Sequence, residues 1–92
     1  MENDEISNKY EMQKIFVKCA RAMNQINVLD RRILAIENLI QKALELNNKA
    51  SKFVFKKELD TLNRVKIQYY LYIEFKLIEM DVMQYDMLNE GS

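Results

Sequence analysis

The chain has 92 residues, with 14 Lys or Arg balanced by 14 Asp or Glu, and it contains no His, no Trp, no Pro, one Gly and one Cys. That length allows one small domain. The composition excludes a disulfide framework, a His-based catalytic triad, a His- or Cys-built metal site and a glycine-rich phosphate loop.

Residues 1–11 carry a net charge of −3, from Glu2, Asp4, Glu5 and Glu11 against Lys9. Residues 1–5 read as a frayed acidic start, with the helix beginning at about residue 6, either near Glu5 or with Ser7 or Asn8 as its N-cap. Carboxylates near the first turn suit the positive end of the helix dipole. The basic start and apolar run of a signal peptide are not seen, so a cytoplasmic protein is expected.

The first helix carries an uninterrupted heptad stripe. It runs through Met12, Ile15, Cys19, Ala22, Ile26, Leu29, Ile33, Ile36, Ile40 and Ala43, in alternating steps of three and four. Such spacing keeps one apolar seam on one side of a helix, facing another helix. Cys19 falls on the seam and reads as a small apolar group, because a nucleophilic thiol needs a His or a basic pocket beside it. The stripe predicts a helix to about residue 46. Asn24, Asn27 and Asp30 leave a second option, in which the helix breaks near Asn27 and the chain forms a three-helix bundle.

Residues 47–51, Asn-Asn-Lys-Ala-Ser, read as a turn. Asn tolerates the left-handed conformation that ends helices, and Ser51 is an N-cap candidate for a second helix over about 52–88. The expected fold is therefore all-α, one domain over 1–92, as a long antiparallel helical hairpin of coiled-coil type. A fold about this turn pairs Ile40 with Leu59, Ile26 with Ile73, Cys19 with Met80 and Met12 with Met87. Leu29, Ile33, Ile36, Ile40, Leu59, Leu62 and Ile73 are expected to hold it together. Residues 49–66 carry +4 and residues 67–92 carry −4, so the rod is basic at the turn and acidic where its ends meet. A short Lys run without an aromatic RNA motif reads as solvated surface, and no nucleic-acid partner is expected.

The second helix is apolar on most of its circumference between Val65 and Met83. The stretch Ile67–Met83 is interrupted by Glu74, Lys76, Glu79 and Asp81, so it is not a membrane span. A helix apolar on most sides is expected to be covered on most sides, and a hairpin covers only one. Tyr69, Tyr72, Phe75, Ile78, Val82 and, nearer the turn, Phe53 are the candidate partner-binding residues. Met80, Met83 and Met87 form a further stripe, suited to the core or to an adaptable surface. The partner is expected to be another protein or a second copy of the chain, with no cofactor and no metal. The function that follows is a non-catalytic interaction module, used as a chaperone, co-chaperone or adaptor. A self-assembling helical bundle and a small phage-type inhibitor of a host protein are the alternatives.

Two resemblances sharpen these readings. The segment Ile33-Leu34 through Asn47-Asn48, then Glu58-Leu59 and Tyr69-Tyr70-Leu71-Tyr72, looks like the small hairpin co-chaperones that keep the needle subunit of bacterial type III secretion soluble. That resemblance covers about the last two thirds of the chain. It implies a cytoplasmic heteromer whose Tyr- and Leu-rich faces shield an aggregation-prone secreted subunit. Glu58-Leu59-Asp60 resembles the Leu-Asp core of the small sporulation phosphatases of response regulators, with Lys56 where that pattern has Ser. It implies an enzyme reading with Asp60 at its centre.

Overall fold

The computed structural model describes the backbone of residues 2–90 and the side chains of residues 7–86 and 88. Two helices account for nearly all of it: α1 (Glu2–Glu45) and α2 (Lys49–Glu90). They form an antiparallel hairpin with principal extents of 68 × 15 × 13 Å. A helix of this length rises about 65 Å at 1.5 Å per residue, so both helices run the full rod. The start is not frayed as the acidic composition suggests: helical backbone begins at Glu2.

α1 is continuous through Asn24, Asn27 and Asp30, which corrects the three-helix alternative. Asn24 and Asn27 lie on the exposed side. Isolated Asn costs a helix only a few tenths of a kcal/mol relative to stronger formers. The seam on both sides of it packs in one register and outweighs that cost.

All ten predicted seam positions of α1 are buried or half-buried, with Ile15, Ala22, Ile26, Leu29, Ile33, Ile36 and Ala43 in the core. Ile26 is the most enclosed, at 1% exposure. Leu62 of α2 completes the central cluster with Leu29, Ile33 and Ile36, and Ile40, Phe55, Leu59, Val65 and Tyr69 pack against it. No polar side chain is buried among the described residues. Cys19 is a half-buried free thiol on the seam.

The connection is tighter than the sequence suggests. Asn47 adopts the left-handed conformation, with φ 55°. The N–H of Asn48 donates to Ala43 O (2.8 Å) and that of Asn47 to Leu44 O (3.1 Å). These two bonds are the Schellman pattern, which satisfies carbonyls that α1 would otherwise leave unpaired. Asn48 then serves the next helix: its Oδ1 accepts the Ser51 N–H at 3.1 Å. The N-cap of α2 is thus Asn48, and Ser51 is its N3 residue, not the cap. The first turn of α2 holds no acidic residue, so the Asn48 side chain is the local group that offsets its N-terminal donors.

Because only Leu46–Asn48 separates the helices, the pairing is closer to the turn than a fold about residues 47–51 implies. Lys66 pairs with Asp30, a residue that the wider turn would set opposite Tyr69. Tyr69 and Tyr72 instead line a groove with Lys18, Arg21, Ala22 and Gln25. The Met12–Met87 pairing lies outside the described residues on its Met87 side.

Candidate protein-docking surface

The inward face of α2 also follows a strict heptad. Lys52, Phe55, Leu59, Leu62, Lys66, Tyr69, Ile73, Lys76, Met80 and Met83 are all buried or half-buried, again in steps of three and four, with Ser51 and Val65 half-buried beside them. Three of the ten are lysines, which hides the period from a hydrophobicity count. Their stems lie along the helix interface while the ammonium groups leave it. Lys66 reaches Asp30 across the hairpin. Lys76 turns back to Glu79, 3.3 Å away, and lies 5.6 Å from the Tyr72 ring.

Two residues beyond each inward position is a rotation of about 200° on a helix of 3.6 residues per turn. Leu71, Phe75, Ile78, Val82 and Tyr85 stand in that relation to Tyr69, Ile73, Lys76, Met80 and Met83. They form a second heptad stripe, on the side of α2 facing away from α1. All five are 48–65% exposed. One hairpin partner can cover one stripe, so this second stripe has no cover among the described residues.

The sequence-predicted partner residues divide between the two faces. Phe75, Ile78 and Val82 lie on the outward stripe. Tyr69 is half-buried and packs against the hairpin core, on the inward face. Tyr72 lies at the border between the faces, beneath the Lys76 ammonium. Phe53 is exposed near the turn, apart from the stripe, with the Lys57 Nζ 5.4 Å from its ring. Leu71 and Tyr85 stand on the stripe beside the six residues that the sequence singles out, Leu71 within the run Tyr69-Tyr70-Leu71-Tyr72. A step of two positions from the α2 seam marks both, but the seam's lysines conceal its period in the sequence.

On coiled-coil lettering the outward stripe occupies a and d. Its flanking e positions are then Tyr72, Glu79 and Asp86, and its g positions Glu74, Asp81 and Leu88. Every charge flanking the stripe is negative. Glu79 is matched by Lys76, but no ion pair among the described residues involves Glu74, Asp81 or Asp86.

The other constellations are less organised. Glu58 lies 4.0 Å from Arg32, Leu59 packs against the core cluster and Asp60 is exposed. No cluster of metal-ligating side chains forms among the described residues. No described helix is long and apolar enough to cross a membrane. No protein-family model matches the chain, and neither a curated protein nor a solved structure gives a significant match.

Proposed function

We propose that the hairpin is a non-catalytic protein-interaction module that binds a partner protein by helix packing, as a small cytoplasmic chaperone, co-chaperone or adaptor. The observation that carries this reading is the uncovered heptad stripe Leu71-Phe75-Ile78-Val82-Tyr85. A contiguous apolar strip of this kind is an interaction surface or an aggregation hazard, and its heptad spacing suits a helix. The resemblance to needle-subunit co-chaperones supports the chaperone form of the reading, since both combine an Asn-containing turn with an aromatic second helix.

A self-assembling bundle is the second reading. Exposed apolar side chains on α1, among them Phe16 and Leu34, favour it by extending the surface to both helices.

Photo-crosslinking from position 78, in the cell that makes the protein, separates the two. A dominant adduct with one different protein supports the partner reading. An adduct between two copies of the chain supports self-assembly. The chain alone, followed by light scattering over a range of concentrations, provides the control: a partner-dependent module stays free of a discrete, stable oligomer.

A further inference from the structure

The partner reading leaves open what kind of surface the outward stripe accepts, and the charges beside it narrow the choice. In a coiled-coil pair the e and g residues of one helix lie against those of the other and select partner and orientation. Pairing this stripe with its own copy sets e against g in a parallel arrangement, and e against e with g against g in an antiparallel one. The parallel arrangement sets Glu74 against Glu79 and Asp81 against Asp86, and the centred antiparallel one sets Glu74 against Asp81 and Glu79 against its own copy. Lys76, the one cation of α2 beside the stripe, is engaged by Glu79. Lys18 and Arg21 of α1, which share the Tyr72 groove, form no ion pair with these carboxylates, so that repulsion is not relieved within the hairpin. An anionic lipid surface or a nucleic acid meets the same negative flank.

Building on the partner reading, we infer that the outward face of α2 receives an amphipathic helix of a different protein, with apolar residues at heptad a and d and Lys or Arg at e and g. The stripe from Leu71 to Tyr85 spans about 21 Å at 1.5 Å per residue, so two heptads of partner helix cover it. The apolar contact supplies the attraction. The acidic flanks reject helices of like charge, a second copy of α2 included.

The test uses the full chain and two synthetic three-heptad peptides, both with Leu at a and d. One has Lys at e and g, the other Glu. Binding is read by fluorescence anisotropy of the labelled peptide. The Lys peptide is expected to bind and the Glu peptide not, with the Lys affinity falling about tenfold or more from low to high salt. Ile78→Asp should abolish binding, while Leu34→Asp on α1 leaves it unchanged. Exchanging Glu74 and Asp81 for Lys should move the preference toward the Glu peptide. Circular dichroism of each variant confirms that the hairpin is intact.

Equal binding of the two peptides overturns the inference, as does an equal loss from Leu34→Asp and Ile78→Asp. If neither peptide binds, yet the chain sediments as a monomer and a cysteine introduced by Ile78→Cys labels rapidly, the charge rule fails and the partner reading stands. A discrete dimer of the chain alone, dissociated by Ile78→Asp, overturns both.

Discussion

Lys66, an inward position of α2, donates from its ammonium to the carboxylate of Asp30 on α1. The pair bridges the two helices near mid-rod and marks their register. A charged residue on a largely apolar seam lowers stability but disfavours slipped pairings, in which it would meet an apolar residue. The hydrogen bond to Asp30 raises the Lys66 pKa above its ordinary 10.5, while partial burial acts in the opposite direction. A folded-state pKa raised above the unfolded value contributes stability that is complete below the unfolded value and is lost as pH rises through the folded one. The pair therefore stabilises the hairpin at neutral pH, and the contribution declines as pH rises past 10.5 through the higher folded-state value. Lys66→Met keeps the stem and removes the charge. Thermal melts of this variant should show a smaller fall in Tm across the alkaline range than the parent chain shows. An identical fall would mean that the pair does not couple to folding.

The turn makes a second, local prediction. Asn47 holds φ 55°, a conformation that costs a residue with an ordinary Cβ about 1–2 kcal/mol. Asn47→Val should destabilise the hairpin by roughly that amount, most for this β-branched side chain, whereas Asn47→Gly should be neutral or stabilising. Asn48→Ala removes the cap on Ser51 and should cost about 1 kcal/mol. Urea titrations followed by helix signal would measure all three. A Val variant as stable as the Gly variant would contradict the left-handed assignment.

In the core, Ile26→Ala should cost about 2–4 kcal/mol, the lower part of the usual range, since a thin rod collapses more readily than a thick domain. Ala22 is buried where the helices meet, and Ala22→Leu should overpack the seam by about 1–3 kcal/mol. Leu34→Ala, on the exposed side of α1, should stay within about 0.5 kcal/mol. Denaturant unfolding ranks the three. Equal effects at positions 26 and 34 would mean that the seam does not hold the hairpin.

Cys19 supplies an independent probe of the same interface. Its thiol is half-buried between the helices, so a disulfide reagent should modify it several-fold more slowly in the folded chain than in urea. Disrupting the seam through Ile26→Ala should raise the folded-state rate. No difference between folded and unfolded chain would place Cys19 outside the seam.

What the sequence determined by itself is the all-helical hairpin and the inner face of α1. Ten apolar or small residues in strict heptad steps form the one unbroken apolar stripe of that helix, and it is the one inside, while the apolar residues between them, such as Phe16 and Leu34, keep no such period and stay exposed. The absence of Pro and the terminal position of Gly91 let both helices run unbroken. Only the tertiary structure decided which face of α2 turns inward. Apolar residues cover most of that helix, so its own hydrophobic period does not distinguish an inner from an outer side. The matching faces of α1 make the choice, drawing Tyr69 in and leaving Phe75, Ile78 and Val82 out. The register was also beyond the sequence. It depends on whether Asn48 or Ser51 caps α2, and both residue types make good caps. The left-handed Asn47 reverses the chain early enough for Asn48 to end one helix and begin the next. That early reversal brings Lys66 level with Asp30.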